Sequence, residues 1–150
     1  MSSTLLKTPN RKRETTMRFM IIIKATADSE AGVMPSAPLL AEMGAFHAEL
    51  ARAGVLLDGA GLRASSHGWR VRIGAGGDQK GDQKGDRKVV DGPFAAGGGL
   101  VSGYTLIQVR SRDEAIEWSR RYPNPTLHGS ACEIEVRQLF EADDFGPNPS

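Results

Sequence analysis

The chain has 150 residues, the length of one domain rather than two. Its hydrophobic share of 39% supports a packed core, and its net charge of +1 gives no strong field that would attract nucleic acid or a membrane surface. A single cysteine excludes an internal disulfide and a cysteine-based zinc cluster, and the longest strongly apolar run, Phe19 to Ile23, is far too short to span a bilayer.

The first residues form a basic arm. Residues 1–16 carry four basic side chains and one acidic side chain. They contain no apolar stretch of the length found in a secretory signal peptide. We predict that residues 1–16 are a disordered extension, that translation starts at Met17, where the first strand begins, and that the protein is cytoplasmic.

The first half of the domain predicts a strand, a helix and a second strand. Arg18 to Lys24 is short and rich in large apolar and β-branched residues, which favours a buried strand over a helix. Apolar residues at steps of three and four then predict a helix from Leu39 to Ala53, with Ser36 as its N-cap. The remaining segments are a predicted loop at 25–38, a short strand at 55–57 and a turn at 58–61.

The middle of the chain predicts a hairpin. Trp69 to Ile73 alternates apolar and arginine side chains, which is typical of a half-exposed strand, and Arg87 to Asp91 is expected to pair with it. Between them, residues 77–88 repeat a four-residue unit three times and contain no apolar residue. We predict a flexible hairpin insertion there, with an anion-binding or partner-binding arm as the alternative.

The second half repeats the order strand, helix, strand. Gly103 to Arg110 alternates and predicts a strand, and Ser111 starts a capping box that opens a helix ending at Pro123. Cys132 to Phe140 is the predicted last strand, with Cys132 buried on its apolar face. The domain is expected to extend over residues 17–146 and to be followed by a disordered tail at 147–150.

The predicted element order is β-α-β-(β-hairpin)-β-α-β. Two β-α-β units around a central hairpin indicate an α+β, ferredoxin-like fold, in which an antiparallel sheet has two helices on one face. The other face then displays one of two alternating sets, either Tyr104, Leu106 and Gln108 or Thr105, Ile107 and Val109. Because both sets contain large apolar groups, and such patches mark interfaces, we predict a homodimer in which two sheets pair face to face.

One motif, Asp91-Gly92-Pro93-Phe94, follows a predicted strand and precedes a glycine-rich loop. It is accompanied, in order along the chain, by MRFMIIIKAT, ELARAGVLLDGAGL, SRDEAIEWSRRYPNP and EIEVRQLFEADDFG. Together these segments resemble the YCII-related family, in particular its DGPF subgroup, over residues 17–146. The resemblance implies a dimeric α/β barrel of ferredoxin-like subunits. It also implies a link to sigma factors for some members and, for a few relatives, lyase-like or dehalogenating chemistry on small ring compounds with a His-Asp pair.

The catalytic pair that the resemblance implies is changed in this chain. Its histidine position is Met43 and its aspartate position is Tyr122, and neither side chain exchanges a proton as that pair requires. His47 lies one helical turn from Met43 on the same face, so it is the candidate substitute. Asp91 is the acidic candidate. The alternatives are a histidine hydrogen-bonded at the helix edge and an aspartate in an Asx-turn.

Four residues are predicted to contact a small-molecule ligand near the Asp91–Phe94 segment: Met43, Arg70, Phe94 and Tyr104. Arg70 and Arg72 can hold a carboxylate with two hydrogen bonds, with a solvated strand face as the alternative. The three histidines lack metal-ligand spacing, so we predict no metal and no cofactor. No basic patch is interleaved with aromatic residues, which argues against a nucleic-acid partner.

Three functions stay open at this level. The first is a dimer that binds a small molecule near the Asp91–Phe94 segment. The second is a lyase- or hydrolase-like enzyme that works without a metal and uses His47 and Asp91 as acid and base. The third is a protein-interaction module that contacts a sigma factor.

Overall fold

The computed structural model describes residues 15–75, 85–95 and 99–146, and these residues form six strands and three α-helices. The strands are β1 (Met17–Lys24), β2 (Leu56–Gly61), β3 (Trp69–Ile73), β4 (Arg87–Asp91), β5 (Val101–Val109) and β6 (Ile134–Gln138). The helices are α1 (Ala27–Glu30), α2 (Ala37–Arg52) and α3 (Arg112–Arg120). Among these described residues, no helix has both the length and the apolarity that crossing a bilayer demands.

Four strands form the main sheet, in the order β2-β5-β1-β6, and each neighbouring pair is antiparallel. Strands β3 and β4 pair with each other in a separate two-stranded sheet. In sequence this hairpin lies between β2 and β5. The arrangement confirms the predicted α+β, ferredoxin-like fold with an inserted hairpin.

The core lies between the main sheet and helices α2 and α3. Along β1 and β5, buried residues alternate with half-buried ones, because successive side chains of a strand point to opposite faces. In β5 the buried set is Thr105, Ile107 and Val109, which decides between the two sets that the sequence left open. The core residues that meet there are Phe19, Ile21, Ile23, Ile107 and Val109 from the sheet, with Phe46, Leu50 and Ala115 from the helices.

The opposite side of the sheet has an apolar centre. Met20 lies opposite Leu106, and Ile22 lies opposite Tyr104, in the antiparallel pairing of β1 with β5. These four residues, which we call the open face, are half-buried. Because the core packs α2 and α3 against the other side of the sheet, neither of these helices covers the open face.

Local side-chain caps fix where the two longer helices begin. The Ser36 hydroxyl accepts the Leu39 N–H at 3.3 Å, which confirms the predicted N-cap of α2. At α3, the Ser111 hydroxyl accepts the Glu114 N–H at 3.1 Å. The Glu114 carboxylate accepts the N–H of Arg110 at 2.9 Å rather than that of Ser111. Only one half of the predicted capping box therefore forms, and the other half is displaced by one residue.

Several segment predictions are wrong in detail. The predicted loop at 25–38 contains α1, which Thr26 and Ser29 cap reciprocally. The predicted turn at 58–61 belongs to β2, because pairing with β5 outweighs the turn preference of its glycines. Cys132 is exposed rather than buried, since the pairing of β6 with β1 reaches no further than Ile134.

The hairpin also differs from its prediction. All five residues of β3 are exposed, so the strand is not half-buried, and Trp69 keeps 64% of its surface accessible. The register places Trp69 opposite Asp91 and Val71 opposite Val89, as the predicted pairing requires. The predictions for residues 1–14, for most of the repeat (77–84) and for the tail at 147–150 lie outside the described residues.

Candidate functional site

His47 belongs to a chain of hydrogen bonds that runs from α2 to the residues after α3. Its Nδ1 lies 2.8 Å from the carbonyl oxygen of Met43, and its Nε2 lies 2.8 Å from Oγ1 of Thr105. Thr105 Oγ1 lies 3.3 Å from the hydroxyl oxygen of Tyr122. Thr105 is fully buried, whereas His47 and Tyr122 are half-buried. The chain of hydrogen bonds therefore places the His47 imidazole at the edge of the core.

The carbonyl of Met43 sets the direction of donation along this chain. A carbonyl oxygen only accepts, so His47 Nδ1 carries the hydrogen, and in the neutral imidazole Nε2 accepts from the Thr105 hydroxyl. The Thr105 oxygen then accepts from the Tyr122 hydroxyl. Burial raises the pKa of Tyr122, which keeps its phenol protonated and able to donate.

Packing holds the chain of hydrogen bonds in place. The Phe46 ring meets the Tyr122 and Trp118 rings edge to face, with centroids 5.2 Å and 6.2 Å apart, so α2 is fixed against α3 and the residues after it. On the β2 side, a Cβ on Gly59 would lie only 3.3 Å from His47 Nε2. Glycine at this position therefore lets β2 pass close to the imidazole.

Both positions of the expected catalytic pair take part in this chain. Met43 contributes its carbonyl oxygen, and Tyr122 contributes its hydroxyl. Thr105, which joins His47 to Tyr122, was missed as a site residue. The signal that could have found it is a threonine in an otherwise apolar alternating set, because a buried hydroxyl needs a polar partner.

A second polar cluster builds an open groove of about 490 Å³ beside the hairpin. We call it the DGPF groove, because Phe94 of the Asp-Gly-Pro-Phe motif lines it. Its larger apolar lining residues are Leu62, Trp69, Phe94, Leu100 and Val101. The charged and hydroxyl-bearing side chains that line it include Glu30, Arg63, Ser65 and Arg70.

Ser65 links α1 to the Asp-Gly-Pro-Phe segment. Its N–H and its hydroxyl both donate to the Glu30 carboxylate, at 2.9 Å and 2.5 Å, and its hydroxyl oxygen accepts the N–H of Phe94 at 2.9 Å. The Ser65 hydroxyl and then its N–H lower the pKa of Glu30, because both hydrogen bonds favour the ionised carboxylate. A Cβ on Gly92 would collide with the Ser65 carbonyl oxygen, so only glycine fits there.

The four predicted ligand contacts fall in three separate places. Arg70 and Phe94 are brought together, with the guanidinium carbon 3.9 Å from the ring centroid. Tyr104 lies on the open face, where its hydroxyl donates to Asp58 at 3.0 Å, and this hydrogen bond raises the pKa of Tyr104. Met43 is beside His47.

Asp91 is exposed and ends β4 opposite Trp69. The His47 side chain hydrogen-bonds to Met43 and Thr105, and its ring contacts Phe46 and Tyr122. In residues 15–75, 85–95 and 99–146, Asp91 is not among its partners. Over the same residues, no group of three or more histidine, cysteine, aspartate or glutamate side chains is arranged to hold a metal ion. The described geometry therefore provides a hydrogen-bond chain at His47 and a groove at Phe94 as two distinct features.

Comparison with known proteins supports the resemblance seen in the sequence. The family model of the YCII-related domain matches residues 17–140, which include both the hydrogen-bond chain and the DGPF groove. No curated protein matches the chain.

We predict that Thr105→Val destabilises the protein by about 1–3 kcal/mol, because it leaves His47 Nε2 and the Tyr122 hydroxyl without their shared hydrogen-bond partner. Thr105→Ser, which keeps the hydroxyl, is the control. Urea unfolding of the three proteins measures the free energies. A valine variant as stable as the serine variant would show that the hydroxyl does not stabilise the fold.

We predict that Glu30→Gln lowers the free energy of unfolding at neutral pH. The folded-state pKa of Glu30 is lowered from its ordinary value of 4.5, so the ionised carboxylate stabilises the fold above that value, and this stabilisation disappears as pH falls through the folded pKa. The difference between variant and wild type should therefore shrink in acid. Urea unfolding of both proteins, from neutral pH down into acid, measures this difference in the free energy of unfolding. Glu42→Gln, which changes an exposed glutamate on α2, is the control. A difference that does not change with pH would contradict the assignment.

Proposed function

The chain belongs to the YCII-related family, and we propose that it binds a small molecule with an apolar ring in the DGPF groove. The observation that best supports this function is the placement of Phe94. The Ser65 hydroxyl holds its backbone N–H, and the Arg70 guanidinium lies over its ring. The backbone and the ring of Phe94 are thus each held by one contact, so the ring is positioned before the ligand arrives.

The size and lining of the groove fit this proposal. A volume of about 490 Å³ lies within the range of small-molecule sites, which are mostly apolar with a few polar groups. Trp69 and Leu100 add apolar surface to that of Phe94. Trp69 is exposed, so its indole is accessible to a ligand.

The other two functions have weaker support. An enzyme that uses His47 and Asp91 together needs the two side chains to act on one substrate, whereas the polar partners of His47 are Met43 and Thr105. Acid–base catalysis by that pair therefore stays a prediction. Contact with a sigma factor rests on the family resemblance alone and also stays a prediction.

We also propose that the protein is a homodimer that pairs through the open face. Met20, Ile22 and Leu106 place apolar side chains side by side on the two central strands. Charged residues flank them, including Lys24, which forms an ion pair with Glu135 on β6. An apolar centre with a charged rim is the anatomy of a protein interface, and a two-fold axis would let this surface cover its own copy.

To test ligand binding, we would titrate the protein with phenol, benzamide and benzoate and follow the backbone amide NMR signals of Ser65, Gly68 and Phe94. We expect saturable shifts with at least one probe, with dissociation constants in the millimolar range. Phe94→Ala should weaken binding about tenfold, because it removes the aromatic wall. Phe140→Ala is the control, since Phe140 is exposed and does not line the groove. No saturable shift with any probe would contradict the proposal.

To test the homodimer, we would record native mass spectra of the wild type and two variants. The wild type should show twice the chain mass of 16.1 kDa. Leu106→Asp should give monomers, because it places a charge at the centre of the open face. Leu40→Asp, at an exposed leucine on α2, should stay dimeric. A monomeric wild type at micromolar concentration, or a dimeric Leu106→Asp variant, would count against pairing through this face.

A further inference from the structure

The charges that line the DGPF groove are not balanced. Arg63 and Arg70 both line it, and within the described residues neither forms an ion pair with a carboxylate. Elsewhere in the described chain, cations such as Arg18 and Arg121 are paired with glutamates at 3.0 Å and 2.7 Å. Other exposed arginines, such as Arg72, likewise form no ion pair among the described residues. The groove is therefore set apart by placing two such guanidinium groups beside an apolar lining.

The carboxylate in the groove does not neutralise both arginines. Glu30 lines the groove, but its two oxygens accept hydrogen bonds from Ser65. Two guanidinium charges and one carboxylate leave a surplus of one positive charge among the arginine and acidic side chains of the lining. A single negative charge on a ligand would balance it.

We infer that the groove takes a monocarboxylate whose apolar ring lies against Phe94 and Trp69 and whose carboxylate binds Arg70. This inference rests on the proposed function, because it names the class of ligand for the same groove. The guanidinium presents its N–H donors in one plane and matches a carboxylate with two parallel hydrogen bonds. Its position over the Phe94 ring already restricts the Arg70 side chain, so less rotamer freedom is lost on binding.

The structure also distinguishes Arg70 from Arg72, although both occupy equivalent positions in the alternating pattern of β3. Arg70 lies opposite Val90 in the hairpin and lines the groove, whereas Arg72 lies opposite Lys88 and is not part of the lining. Both are exposed residues of the same strand. Arg72 is therefore a matched control, since its replacement removes the same charge two residues away from the proposed site.

The experiment compares benzoate with benzamide, its neutral counterpart, by amide NMR titration at constant ionic strength. In the wild type, benzoate should bind at least about tenfold more tightly than benzamide at the Ser65, Gly68 and Phe94 amides, because a charge-assisted hydrogen bond is added. Arg70→Gln should abolish this preference, because it removes the charge that distinguishes benzoate from benzamide. Arg72→Gln should keep the preference.

The outcomes separate this inference from the proposed function. Equal binding of benzoate and benzamide at the groove amides would overturn the monocarboxylate inference and leave ring binding in place. A preference for benzoate that survives Arg70→Gln, or that disappears in Arg72→Gln, would overturn the role of Arg70. No binding of benzoate, benzamide or phenol at these amides would overturn the proposed function and this inference with it.

Discussion

Strands β1 and β5 run antiparallel at the centre of the main sheet, from Met17 opposite Val109 to Ile23 opposite Gly103. Their pairing makes the two faces of the sheet. It aligns Ile21 with Thr105 on the helix side and Ile22 with Tyr104 on the other, so a shift of one residue would exchange the buried and half-buried sets. The core, the buried Thr105 hydroxyl and the open face all follow from this register.

Strand β5 also pairs with β2, and its register fixes which residues of β2 lie beside the core. Gly59 of β2 lies opposite Thr105, the residue that hydrogen-bonds His47 Nε2. The same alignment explains why a glycine stands next to the imidazole, since the backbone of β2 and the His47 side chain compete for one space. A buried polar chain of this kind costs stability unless every member has a partner, and each member here has one.

Much of the fold was predictable because its signals are local. The alternation along β5 and the caps at Ser36 and Ser111 depend on residues close in sequence, and all three agree with the structure. The predictions that failed depend on distant partners. Segment 58–61 looked like a turn from its glycines but pairs with β5, and Cys132 lies beyond the last residue pair that joins β6 to β1.

In the candidate sites, too, local signals were visible in the sequence and contacts between distant residues were not. Phe94 and Arg70 were predicted as ligand contacts from the motif and from the strand pattern, and the two side chains lie against each other. The links that build the sites were not visible, because Glu30 is 35 residues from Ser65 and His47 is 58 residues from Thr105. Hydrogen bonds between such distant polar residues leave no periodic trace in the sequence.

The hairpin of β3 and β4 has a further consequence for engineering. Its two strands form a sheet of their own, and at its far end the N–H of Gly74 donates to the carbonyl of Asp86 at 2.8 Å. The chain just after β3 and the chain just before β4 are thus held side by side. Replacing the repeat between these residues with a peptide epitope or a small reporter domain would add a handle without changing the register of the main sheet, since closing a longer loop costs little additional entropy.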